Sequence, residues 1–164
     1  MLTQSFVRRI FEYKEGVLYW KEQHGTKVPG DKAGYVDNRS GYIRLGINCK
    51  RYFAHRVVFL YFHGHLPKML DHKDRNKQNN RIDNLRECTS YQNNIHRVGN
   101  CKSTSKYKGV SWSTARKKWV AQAKVEGHMY FIGRYMDEVE AAEAYDAFVQ
   151  NWHREFAHPN FSYI

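Results

Sequence analysis

Asp71 and His72 stand side by side at the head of the run Asp71-His72-Lys73-Asp74-Arg75-Asn76-Lys77-Gln78-Asn79-Asn80-Arg81-Ile82-Asp83-Asn84-Leu85-Arg86, where nearly every side chain donates, accepts or carries charge. Phosphodiester hydrolysis asks for such a set. A base must take a proton from water, and neutral imidazole suits that task near pH 7. A hard divalent cation must offset charge on the phosphate and the leaving oxygen, and it prefers oxygen ligands. His72 offers the base and Asp71 a carboxylate, while Tyr91-Gln92-Asn93-Asn94, read as a helix, offers an amide. An isolated Asp-His pair would be ordinary surface, and a polar loop is by default a solvated excursion. Here apolar flanks at Met69-Leu70, Ile82 and Leu85 tether the loop, and Asn and Asp side chains can tie it to its own backbone.

These groups need elements to hold them. Successive strand residues point to opposite faces, so Asp71 and His72 serve one site only if their strand ends there, with a loop from Lys73. Upstream, Leu2, Phe6, Val7, Ile10 and Phe11 recur at helical spacing. From Val17 the pattern alternates, and again over Tyr42–Ile47, with Gly16, Gly25, Pro29-Gly30, Gly34 and Ser40-Gly41 as punctuation. That predicts a small antiparallel sheet of hairpins. Ala54–Phe62 reads as a buried helix.

Residues 98–106 are small, polar and basic, and read as a linker between a domain at 1–97 and another at 107–164. Beyond it, Tyr107–Ser113, Trp119–Val125 and His128–Gly133 read as three strands, with a turn at Gly127. A last helix starts at the N-cap Asp137, with Glu140 three residues on as in a capping box. Ala142, Tyr145, Val149 and Trp152 form its predicted core face. The fold class is therefore α+β.

Lysine and arginine outnumber aspartate and glutamate by 27 to 16, a net charge of +11, with 15% aromatic residues. Such an excess favours a polyanion, because each cation placed at a phosphate releases condensed counterions. The alternative is a merely solvated basic surface. Three cysteines (Cys49, Cys88, Cys101) without a Cys-x-x-Cys pair argue against a disulfide framework or a cysteine zinc site. No apolar run is long enough for a membrane span, and the first residues lack a signal-peptide pattern. The expectation is a cytoplasmic protein, with no membrane and no obligate protein partner.

Ala54-His55-Arg56-Val57-Val58, followed by the Asp71–Arg86 run, resembles the HNH family of phage and intron homing endonucleases. The likeness is to the branch whose ββα-metal site reads D-H-x-D-G-(N/D)-x-x-N-N-R-I-D-N-L-R. It implies His72 as general base, Asp71 and Asn93 as metal ligands, and Asn84 as the central asparagine bracing the loop of the catalytic motif. His55 and Arg86 fall on family positions suited to phosphate contact or packing. The implied cofactor is a divalent ion, Mg²⁺ in the cell, with Mn²⁺ also serving. Arg75 departs from the pattern, standing where the family commonly has glycine. A positive φ there would strain it.

Residues 105–161 alternate aromatics and cations on the expected strands and carry Glu140-Ala141-Ala142-Glu143-Ala144-Tyr145-Asp146 and Asn160-Phe161. They are similar to the ethylene-response-factor (Apetala-type) DNA-binding domain. The resemblance implies DNA contact by Lys108, Trp119, Lys124, Phe131 and Arg134, to which the basic turn Arg116-Lys117-Lys118 is added. Ser111 and Ser113 replace plant-type arginines, so the plant target sequence does not carry over. The resulting expectation is a metal-dependent, homing-type HNH endonuclease acting on double-stranded DNA. Two rivals stand beside it: a DNA-binding regulator with an inactive HNH domain, and a protein acting on RNA.

Overall fold

The computed structural model describes residues 2–95, 104–153, 156–157 and 159–161. It is α+β, and it divides into two compact units, Met1–Cys88 and Thr89–Ile164. Of the expected linker, residues 98–103 lie outside the described residues. Ser105 is buried, donating to the Glu138 carboxylate at 2.7 Å and accepting from the Tyr107 N–H at 3.0 Å. Among the described residues no helix is long and apolar enough to cross a membrane.

The first unit opens with α1 (Gln4–Ile10), capped by the Thr3 hydroxyl, which accepts from the Phe6 N–H. Phe11, expected on this helix, instead takes an extended conformation and begins β1 (Phe11–Lys14), still fully buried. β1 pairs with β2 (Val17–Trp20) through Glu15-Gly16, both at positive φ, as a two-residue hairpin twisted to match its strands requires. β3 (Tyr35–Val36), β4 (Ile43–Ile47) and β5 (Lys50–Phe53) form an antiparallel sheet, and β5 runs directly into α2 (Ala54–His63). Gly64 ends α2 in the left-handed conformation. Val57, Val58 and Leu60 of α2 pack with Val7, Ile10, Leu18, Trp20 and Leu45 in one core.

Two short strands complete this unit, β6 (Leu70–His72) and β7 (Leu85–Glu87), antiparallel with Asp71 opposite Arg86 and His72 opposite Leu85. Leu85 anchors the pair in the core. β6 ends at His72.

The second unit begins with α3 (Ser90–Ile95). Thr89 and Gln92 form a reciprocal cap: the Thr89 hydroxyl accepts from the Gln92 N–H at 3.1 Å, and Gln92 Oε1 accepts from the Thr89 N–H at 2.8 Å. β8 (Val110–Ser113), β9 (Lys118–Val125) and β10 (His128–Tyr135) make an antiparallel sheet in the order β10-β9-β8, with α4 (Glu138–His153) packed on it. Asp137 Oδ1 caps α4 by accepting from the Val139 and Glu140 N–H groups. Ala142, Tyr145 and Val149 are buried as expected, but Trp152 is 54% exposed. It lies in the last turn of α4, against Phe148 and the exposed Tyr130 rather than the small-residue core at Ala121 and Ala123.

A buried carboxylate fastens the end of this unit. Asp146, fully buried on α4, accepts from the Asn160 N–H, the Asn160 side-chain amide and the Phe161 N–H. Asn160 in turn clasps both the N–H and the C=O of Lys108. At Gly109 (φ +78°) a Cβ would overlap the Tyr145 ring. Burial, then the Asp146 charge, pushes the Tyr145 phenol up to about 12.

Candidate active site

The chain leaves β6 at His72 through a tight turn in which the Arg75 N–H donates to the His72 carbonyl at 2.9 Å. Arg75 adopts φ +64°, so the backbone here is the one that favours glycine, held by an arginine. The loop then folds back, bringing Asn80 beneath the imidazole. His72 is 4% exposed and Asn80 1%, and His72 Nε2 lies 3.0 Å from Asn80 Oδ1. An amide oxygen only accepts, so the ring proton resides on Nε2 and the lone pair on Nδ1. That is the form a general base needs, with its basic nitrogen fixed by its other one.

Asn84 braces the loop from within. Its amide donates to Asp74 Oδ1 at 2.9 Å and to the Asn79 carbonyl at 2.8 Å. Its Oδ1 accepts from the Asp74 N–H at 3.1 Å, and its backbone carbonyl from the Lys73 N–H at 2.9 Å. Burial opposes charge on Asp74, but bonds from Asn79, Asn84 and the Asn76 N–H, with nearby His72, hold its pKa below the usual value. The loop is also gripped from the β1–β2 hairpin. A Cβ on Gly16 would stand 2.8 Å from the Arg81 nitrogen. The Tyr13 hydroxyl accepts from the Ile82 N–H at 3.1 Å, and Glu15 pairs with Arg81 at 2.7 Å.

Behind His72 stands a group of rings. His55 meets it edge to face at 5.1 Å; Tyr42 packs against both rings, and Phe53 stacks on His55. His55 is 8% exposed, its Nδ1 has no hydrogen-bond partner among the described residues, and burial, then His72 and Arg56, lowers its pKa to about 3. In this structure it is a buried ring packed among Tyr42, Phe53 and His72. Burial, then the Asp71 charge, raises the Tyr42 phenol. Asn80 and Tyr42 are the site residues that the sequence pattern did not single out. The only available hint for Asn80 was an asparagine pair inside a loop already rich in them.

Asp71, 8% exposed, is joined to Arg86, whose Nε and Nη2 lie 3.0 and 2.8 Å from Oδ2. Among the described residues no group of three or more His, Cys, Asp or Glu gathers to hold a metal ion. The donor set nonetheless fits a hard ion of the Mg²⁺ type, which commonly takes one or two carboxylates and fills its shell with water and substrate phosphate. The carboxylate of Asp71 already has a cation seated on it. Asn93 lies on α3 in the second unit, where the Tyr91 hydroxyl accepts from the Glu126 N–H at 2.6 Å.

In the second unit, register sorts the expected contact residues. Lys118, Lys124, Phe131 and Arg134 share the sheet face turned away from α4, and the Arg134 guanidinium lies over the Phe131 ring at 4.7 Å. Trp119 has the parity of Ala121 and Ala123 and packs partly buried with the α4-side core, so it is not on that outward face. Arg116 and Lys117 are exposed in the β8–β9 turn, and Lys108 precedes β8.

A family model for HNH endonucleases matches residues 52–95, which hold α2, β6, the loop, β7 and α3. Protein 3.8 of Escherichia phage T7 is 34% identical over 90 residues, 53% of this chain and 74% of that protein. The chain belongs to the family of phage T7 protein 3.8 and carries an HNH endonuclease domain. All of Asp71, His72, Asn80, Asn84, Arg86 and Asn93 lie inside the HNH segment. The β1–β2 hairpin that grips the loop lies outside it.

Proposed function

We propose that the protein is a metal-dependent DNA endonuclease of the homing type, in which the second unit supplies a duplex-binding surface. The observation that carries this is the buried His72–Asn80 bond, which leaves the other imidazole nitrogen as the basic one, on the residue that follows Asp71 in β6. In this reading His72 Nδ1 takes a proton from the attacking water, while Asn80 holds the ring and its tautomer. Asp71 and Asn93 would hold a divalent ion, Mg²⁺ in the cell or Mn²⁺ in its place. When bound, that ion offsets charge on the phosphate and the departing oxygen. Asn84 keeps the loop in register so that His72 and Asp71 stay together.

Lys118, Lys124, Phe131 and Arg134 on one sheet face, with Arg116 and Lys117 at its end, suit the phosphates and groove of double-stranded DNA. The net charge of +11 favours the same partner. The test is cleavage of a supercoiled plasmid with Mg²⁺, with chelator, and by a His72→Ala variant. Cleavage should require the ion and fall by about 10²–10⁴ in the variant, with duplex binding retained. Chelator-resistant cutting or near-normal turnover by the variant rejects the assignment.

A further inference from the structure

Arg86 and Asp71 face each other across the β6–β7 ladder, with both side chains only 10% exposed. Two guanidinium nitrogens converge on a single carboxylate oxygen, at 3.0 and 2.8 Å. A divalent ion bound to this carboxylate would stand beside a fixed positive charge in a poorly solvated place, where like charges repel strongly. The planar fork of arginine matches a phosphate as well as it matches a carboxylate. Resting on the nuclease reading above, we infer that Arg86 is a built-in counter-cation, occupying Asp71 in the metal-free protein and moving to a duplex phosphate when Asp71 takes the metal. DNA then gives Arg86 a second anion, and the ion takes the vacated carboxylate oxygen. Metal and duplex binding are thereby linked, each strengthening the other by the same factor.

The experiment is Mn²⁺ titration of the full chain by calorimetry and electron paramagnetic resonance, with and without a short duplex. All samples carry His72→Ala to prevent cutting. In the parent, duplex should tighten Mn²⁺ binding by a factor within the usual coupling range of about 5–150. Without duplex, Arg86→Gln should already bind Mn²⁺ at the tighter level, and added duplex should change little. Arg86→Lys, which keeps the charge, should retain weak binding and the duplex effect. An Arg86→Gln affinity equal to or weaker than the parent's, without duplex, overturns the inference. Should that variant fail to fold, the parent decides: duplex affinity that does not rise with Mn²⁺ also overturns it. If Mn²⁺ fails to bind the parent even when duplex is bound, the metal-dependent reading itself falls.

Discussion

The Nε2 of His72 and the Oδ1 of Asn80 lie 3.0 Å apart, and the two side chains are among the few buried polar groups of the first unit. Asn80 thus acts through His72. Asn80→Leu removes the acceptor and lets the ring exchange tautomers, so kcat should fall by at least about tenfold with little change in KM. Asn80→Asp restores an acceptor but adds a negative charge beside the ring, favouring its charged form. Its acid limb in kcat against pH should move to higher pH. A pH profile unchanged in Asn80→Asp would make Asn80 a purely structural residue.

His55 links stability to pH. Its folded pKa is lowered from 6.5 to about 3. Between those values the unfolded chain binds a proton that the folded chain refuses, so stability rises with pH across the window. The contribution is complete above pH 6.5 and is lost as pH falls towards about 3. The slope is at most about 1.4 kcal/mol per pH unit. His55→Phe keeps a ring against His72 and Tyr42 without a titrating group. Urea melts of the two proteins should diverge in slope below pH 6.5 and run parallel above it.

Arg75 sits at φ +64° in the turn after His72. Left-handed backbone costs a non-glycine residue about 1–3 kcal/mol, while glycine adds about 0.4–1 kcal/mol of unfolded-chain entropy. Arg75→Gly should raise stability by up to about 2.5 kcal/mol, read as a higher urea midpoint at constant m-value. A lower midpoint would mean that the contacts of the Arg75 side chain outweigh its backbone strain.

The outward face of the second sheet makes an electrostatic prediction. Replacing Lys118, Lys124 and Arg134 together by alanine removes three cations that share it. If each meets a phosphate, the slope of log affinity against log salt should flatten by about 0.9 per cation lost. Duplex binding by the full chain across a salt series measures this. An unchanged slope would place the DNA-contacting surface elsewhere.

Much of the architecture was legible in the residues. Alternation around Val17–Trp20 and Ile43–Ile47, and the apolar run of α2, gave the elements their type because each buries a defined face. A strand ending at His72 was expected, and β6 ends there. What the residues did not disclose was pairing across long separations. Tyr13 meets Ile82, and Gly16 meets Arg81, through contacts that no local periodicity encodes. The parity of Trp119 depended on strand register, and the exposure of Trp152 on where the sheet ends under α4. The ring group around His55 was only half legible: Phe53 lies two residues away, but Tyr42 and His72 reach it only through the fold.

The grip of the Glu15-Gly16 turn on Asn80-Arg81 bears on when the loop after His72 can take its final shape. The Tyr13–Ile82 bond spans 69 positions, and such distant contacts form only after the intervening chain has closed. Asn80 reaches His72 from the part of the loop that this turn presses upon. A proteolysed chain holding the HNH segment without that turn would keep His72 and Asn80 and lose the contacts that hold their loop. If the protein is the nuclease proposed above, its competence to cut depends on an intact β1–β2 hairpin as well as on the HNH segment.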